Sequence, residues 1–192
     1  VESAPPAVYA GANGDQMLRS TARYASGIMV SDFVIAHVKH ARSLVDPVLT
    51  EAGRPRGSLR FNNFWAWHVK PTLEEAQAEA TMWLSVRGTL YPPYVNDVLD
   101  PEEAALVTRN IAAFVRAHHY MSPVVEGVPP AIVQRLVERT TSACAATDLD
   151  REIERLREFG RAGLSEIALR IYEQPEDAIR LIGERVVPAL AG

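Results

Sequence analysis

Ala7-Val8-Tyr9-Ala10 leads directly into Gly11-Ala12-Asn13-Gly14-Asp15-Gln16-Met17-Leu18, and the reading of the whole chain turns on this stretch. The first four residues are short, apolar and bounded by Pro5-Pro6 and Gly11, as expected of a buried strand. From Gln16 onward, Met17, Leu18, Thr21, Ala22 and Ala25 recur at helical spacing. Gly11 and Gly14 lie between strand and helix. Glycines there let the backbone approach an anion closely, and the helix start offers unpaired amides and its positive dipole end. A glycine-rich turn with no ligand is the plainer reading of the same residues.

The alternation continues outward. Gly27-Ile28-Met29-Val30-Ser31 is a second apolar run, and a helix follows with Val34, Ile35, Val38, Ala41, Val45, Val48 and Leu49 on one face, bent by Pro47 and stopped near Gly53. Leu59 to Val69, rich in aromatics, reads as a third strand. Thr72-Leu73-Glu74-Glu75 has capping-box spacing and opens a helix through Trp83 to about Val86. Residues 88–130 break the rhythm. Within them Asp100-Pro101-Glu102-Glu103 is a strong helix start, so the stretch reads as a helical insertion. Ile153, Leu156 and Phe159 mark a helix ending at Gly160 to Gly163. Glu166 to Ile171 reads as a fourth strand, and Pro175 opens a last helix bearing Ile179, Ile182, Val186 and Leu190.

Alternating strands and helices imply a parallel sheet with right-handed crossovers. Four such units suit either an open doubly wound sheet or half of an eight-stranded barrel.

Composition sets the limits. The chain has 192 residues, 47% hydrophobic and 23% charged, with a net charge of −4, which suits a globular domain with a sizeable core. Mixed charges and an acidic balance argue against a nucleic-acid platform or an anionic membrane surface. The single Cys144 has no disulfide partner and no companion for a zinc site, so a cytoplasmic location is expected. No apolar run is long enough to span a bilayer. The opening Val1-Glu2-Ser3-Ala4-Pro5-Pro6 lacks an initiator Met and has linker composition, which reads as a piece of something longer.

Gly11-Ala12-Asn13-Gly14-Asp15-Gln16-Met17-Leu18, followed by Ala22, Ala25, Gly27 and a strand ending in Ser31, resembles the luciferase-like monooxygenase family. The likeness is strongest to its deazaflavin branch, which includes methylenetetrahydromethanopterin reductases and glucose-6-phosphate dehydrogenases using coenzyme F420. That branch carries apolar-Gly-Ala-x-Gly-Pro-x-Met-Leu, and its next helix ends in Ala-Asp-Gly. Here the Pro is Asp15 and the triplet is Ala25-Ser26-Gly27. The resemblance extends through Asp148 to Gly163, Glu166 to Ile171 and Pro175 to Leu190.

It implies an α/β fold, the C-terminal half of a TIM barrel made of strands five to eight and their helices in a single domain. A whole barrel takes roughly 250 residues or more. It further implies a cofactor phosphate held by backbone amides around Gly11, Ala12, Asn13 and Gly14, with the Ser31 hydroxyl as an extra donor. The cofactor would be F420 or, alternatively, FMN. The implied activity is hydride transfer between reduced F420 and an organic substrate; an FMN-dependent monooxygenase and a cofactor-free structural module are the alternatives. No catalytic residue is assigned. A half barrel would leave unpaired strand edges, so an N-terminal half-barrel or a second copy is expected as partner.

Other chemistry-bearing residues have plainer readings. His37 and His40, three apart on a helix without acidic or Cys company, read as surface residues rather than metal ligands. Arg60, Asn62, Phe64, Ala66 and His68 share a strand face, where packing or hydrogen bonding competes with a substrate role. His118, His119 and Tyr120 read as solvated surface, with an acid-base role for either His as the sharper option. Arg170 suits an anion or a salt bridge. Cys144, among small residues, reads as a packed thiol. Trp65, Trp67 and Trp83 suit core packing at least as well as stacking on a ligand.

Overall fold

The computed structural model describes residues 6–191, so the linker-like Val1-Glu2-Ser3-Ala4-Pro5-Pro6 falls outside it except for Pro6. The elements in chain order are β1 (Tyr9–Gly11), α1 (Asp15–Tyr24), β2 (Gly27–Ser31), α2 (Ile35–Glu51), β3 (Arg60–Lys70), α3 (Leu73–Met82), α4 (Pro101–Arg109), α5 (Ile111–His119), α6 (Pro130–Thr140), β4 (Ser142–Ala145), α7 (Leu149–Ala162), β5 (Glu166–Ile171), α8 (Pro175–Leu181) and α9 (Val187–Leu190). A π-helical turn over Ile182–Val186 joins the last two. Contacts gather into two compact units, one of residues up to Phe64 with Arg157–Ala168, the other of Trp65–Leu156 with Leu169 onward.

In the first unit β1, β2 and the start of β3 pair in parallel, with Tyr9 opposite Gly27 and Gly27 opposite Arg60. β5 joins β3, where Ser165 N–H donates to the Phe61 carbonyl at 3.0 Å. The two faces of this sheet differ. Ile28, Val30, Phe61 and Asn63 point to a fully buried face. Tyr9, Met29, Arg60 and Glu166 occupy the other, where Met29 is 40% exposed and Arg60 is largely in solvent. Parallel sheets ordinarily bury both faces; here the second face is covered only in part, with Asn62 buried and Met29 and Arg60 exposed.

Two glycines shape the unit. A Cβ at Gly27 would lie 2.5 Å from the Tyr9 ring, so the ring rests on bare backbone across the strand pair. The Tyr9 hydroxyl then donates to the Glu166 carboxylate, 2.9 Å from Oε2. Gly163 adopts a φ of +116°, which turns the chain from α7 toward β5, and a Cβ there would meet Arg42 Cγ at 2.8 Å. Gly27→Val is expected to lower the unfolding free energy by about 2 kcal/mol through overpacking against Tyr9. An unchanged urea midpoint would mean that the ring swings aside without penalty.

In the second unit β4 pairs in parallel with the end of β3, Trp67 opposite Ser142 and Lys70 opposite Ala145. β4 and α6 correct the sequence reading, which passed over both. Ser-Ala-Cys-Ala is too short and too small to carry a strand signature, and it forms a strand because all four residues are buried. Trp65 and Trp67 are core residues, and Trp65 Nε1 donates to Ser142 Oγ at 3.0 Å. α3 starts at the Thr72 capping box as expected, with Glu75 N–H donating to Thr72 Oγ1 at 3.2 Å. The boundaries of β1 and β3 sit one to two residues later than the pattern suggests. Among the described residues no helix is long and apolar enough to cross a membrane.

Candidate functional site

The turn from β1 to α1 sits in the first unit. Ala12 N–H donates to the Met29 carbonyl at 3.1 Å, extending the ladder between β1 and β2, so that amide is committed to the sheet rather than to a ligand. The Asn13 side chain continues the ladder in place of backbone. Its Oδ1 accepts from Ser31 N–H at 3.2 Å, and its Nδ2 donates to the Ser31 carbonyl at 3.5 Å. The ends of the two strands are thereby fastened together, and the next residue, Gly14, becomes the N-cap of α1.

No side chain caps α1. The first intrahelical bond here is Leu18 N–H to the Gly14 carbonyl at 2.9 Å, so the amides of Asp15, Gln16 and Met17 have no acceptor within the helix. A Cβ added at Gly11 or Gly14 would meet nothing within 4 Å, which leaves the approach to those amides open. The Asp15 carboxylate is turned toward His40, with Oδ1 3.3 Å from Nε2. This arrangement suits an anionic group such as a phosphate: donors face outward, and the one nearby acid is paired with an imidazole.

Two residues near the end of β2 escaped the sequence reading, Asp32 just after it and Asn63 on the paired strand β3. Asp32 is buried at 3% exposure with φ of +60°, and its N–H donates to the Phe64 carbonyl at 3.0 Å. Asp tolerates this left-handed backbone better than most residues. Asn63 Nδ2 donates to the Phe33 carbonyl at 2.9 Å, and Asn63 Oδ1 accepts from Phe33 N–H at 3.2 Å, pinning the turn into α2. The signal for Asn63 was a polar residue on the apolar face of a strand. Asn62, on the other face, donates to Glu166 at 3.4 Å, and Arg60 pairs with the same carboxylate at 3.4 Å.

The second unit holds a buried polar cluster at the end of β3. His68 is fully buried, with Nδ1 2.7 Å from Glu79 Oε2. Lys70 Nζ lies 2.8 Å from Glu79 Oε1 and donates to the Glu173 carbonyl at 3.2 Å. Glu173 N–H donates to Glu79 Oε1 at 3.2 Å. A carboxylate only accepts, so His68 Nδ1 carries the proton. Burial pushes the His68 pKa down to about 4, against the opposing pull of Glu79. For Glu79, burial alone would raise the pKa, but hydrogen bonds from His68 and Lys70 outweigh it and the net direction is down. The cluster therefore contains neutral His68, anionic Glu79 and cationic Lys70.

Tyr172 stacks on His68 with centroids 4.8 Å apart, and Trp83 packs on Tyr172 at 4.4 Å and on His118 at 4.7 Å. His118 Nδ1 is 3.0 Å from the Met82 carbonyl. His118 is thus half-buried structure rather than solvated surface, whereas His119 and Tyr120 are exposed. His37 also departs from the surface reading. It is buried at 8% exposure, and its Nδ1 accepts from Val34 N–H at 3.4 Å in the first turn of α2. Arg170 Nη1 reaches the Tyr172 hydroxyl at 3.3 Å. The Cys144 thiol is buried, which pushes its pKa up to about 12 and leaves it inert as a nucleophile. Among the described residues no group of three or more His, Cys, Asp or Glu could hold a metal ion.

A family model described as luciferase-like monooxygenase matches residues 1–166. No curated protein matches the chain in sequence. Among solved structures, the coenzyme F420-dependent tetrahydromethanopterin reductase of Methanopyrus kandleri superposes with a TM-score of 0.71 at 21% identity, over 95% of this chain and 50% of that one. An F420-dependent secondary alcohol dehydrogenase, solved with an F420-acetone adduct, gives 0.64 at 18% identity over 95% and 48%. The oxygenating constituent of 3,6-diketocamphane monooxygenase from Pseudomonas putida, in complex with FMN, gives 0.52 at 12% identity over 94% and 47%. Likeness at these identities concerns fold: this chain matches half of a barrel, and it spans about half the length of these proteins.

Proposed function

Because the chain belongs to the luciferase-like monooxygenase family, we propose that it supplies the phosphate-holding part of a flavin-type oxidoreductase that passes hydride between reduced coenzyme F420 and an organic substrate. The observation that carries this reading is the uncapped start of α1 beside Gly11 and Gly14, with Asp15 turned to His40. Asn13 and Ser31 hold the turn in shape, and the amides from Gly14 into the first turn of α1 would receive the phosphate. The deazaflavin ring, when bound, supplies the hydride chemistry. The chain's own part is to anchor and orient that cofactor, and no acid or base is assigned to it.

F420 is preferred over FMN because the run Gly11-Ala12-Asn13-Gly14-Asp15-Gln16-Met17-Leu18 resembles the deazaflavin branch of the family. The open face bearing Tyr9, Met29, Arg60 and Glu166 supports a partner that covers it, either an N-terminal half-barrel or a second copy. A cytoplasmic setting belongs to the same proposal and rests on the lone buried thiol.

Equilibrium dialysis of the 21.1 kDa chain against F420 and against FMN tests the reading. Retention of F420 is expected. Preferential retention of FMN, with oxygen consumed on reduction, would favour the monooxygenase alternative. Retention of neither overturns the enzyme reading for this chain. Light scattering tests the partner, and a monodisperse, folded monomer would refute it.

A further inference from the structure

The second unit contains a cleft that the proposed cofactor chemistry does not use. The facing sides of α3 and α6 and the loop over residues 123–128 line a half-open cleft of about 630 Å³. It exists because the facing positions carry short side chains, Ala78 and Thr81 on α3 and Val133 and Val137 on α6, which cannot fill the space between helix backbones. Val125 and Val128, both buried, form its floor, while Val124 stands 64% exposed at the edge.

Its chemistry narrows the occupant. The lining is mostly apolar, and its polar side chains are Glu74, Gln77, Thr81 and Gln134. The Thr81 hydroxyl is engaged with the Gln77 carbonyl at 2.8 Å, and the Gln134 amide donates to Glu138 at 2.9 Å. Glu74 is the single charged residue in the lining, and it is an acid. An anionic ligand would meet that carboxylate with no cation to offset it. A volume of this size matches pockets for small organic ligands, which combine apolar walls with a few polar groups.

We propose that this cleft binds a small, uncharged organic molecule, predominantly aliphatic or aromatic, with a hydroxyl or carbonyl group directed to the carboxamide of Gln77. The site is independent of the cofactor reading, since it draws on no residue of the turn from β1 to α1.

The test uses the intact chain and a neutral fluorescent probe, N-phenyl-1-naphthylamine, displaced by 1-decanol. Saturable binding of one probe per chain is expected. Ala78→Trp places a ring in the cleft and should weaken binding at least tenfold while far-UV circular dichroism stays the same. Val124→Glu, on the exposed edge, should also weaken it at least tenfold by adding charge at the mouth. If Ala78→Trp does not fold, Val124→Glu decides alone. Non-saturable binding, or equal affinity in folded variants, overturns the proposal. So does a concentration-dependent dimer that Ala78→Trp abolishes, because the occupant would then be a second copy of the chain.

Discussion

Glu79→Ala is expected to destabilise the protein by about 3–5 kcal/mol, the range for removing one partner of a buried ion pair. Glu79 accepts from three donors, His68 Nδ1, Lys70 Nζ and Glu173 N–H. Deleting it leaves the Lys70 ammonium, whose side chain is 11% exposed, with the Glu173 carbonyl but no counter-charge, and strands the His68 N–H, which is in no contact with solvent. At roughly 2–4 °C per kcal/mol for a chain of this size, the melting temperature should fall by about 10 °C. Glu79→Gln keeps an acceptor but loses the charge, and should fall between wild type and alanine. A change below about 1 kcal/mol in urea unfolding would mean that Lys70 finds water in the variant.

The same cluster sets a pH dependence. The folded pKa of His68, about 4, lies below its unfolded value near 6.5, so between these values the unfolded chain binds a proton that the folded chain refuses. Stability is full above about pH 6.5 and falls by roughly 1.4 kcal/mol per pH unit toward pH 4. Glu79, also depressed, adds a loss at still lower pH as its carboxylate protonates. The slope between pH 6.5 and 4 should be shallower in His68→Asn than in wild type. Parallel stability curves for the two proteins would assign it to other groups.

Gly14→Asp is expected to separate folding from cofactor binding. The N-cap backbone has φ of −90° and ψ of 150°, which Asp adopts readily, and a Cβ there is free of contacts. Asp is among the best N-cap residues, so helix stability should be unchanged or raised by a few tenths of a kcal/mol. Its carboxylate, however, would bond to the amides proposed to receive the phosphate and repel the anion. F420 affinity should drop by about a hundredfold, roughly 2.7 kcal/mol, with no loss in melting temperature. Unaltered affinity would remove the phosphate from this turn.

Much of the architecture was legible because β1, β2, α2 and β5 carry clean periodicity and the turn after β1 has a recognisable glycine pattern. What was missed has particular causes. β4 has no β-branched residue, so its strand character comes from burial and from pairing with the end of β3. His37 was legible in principle: it lies three residues after Val34 and four before Ala41, on the helix face that becomes buried. The contact between His68 and Glu79 depends on α3 folding back along β3, which no local spacing encodes. In the candidate site, the glycines could be read, but the commitment of the Ala12 amide to Met29 requires knowing the register of β1 against β2.

The sheet face shared by Tyr9, Met29, Arg60, Asn62 and Glu166 has a consequence for assembly. Met29 alone would make it sticky, a landing place for any greasy surface. The ion pair between Arg60 and Glu166, tied to Tyr9 and Asn62, works as a gatekeeper. A purely apolar visitor would have to strip water from both charges and offer nothing in return. The partner proposed above would therefore need hydrogen-bonding groups of its own set against Arg60 and Glu166.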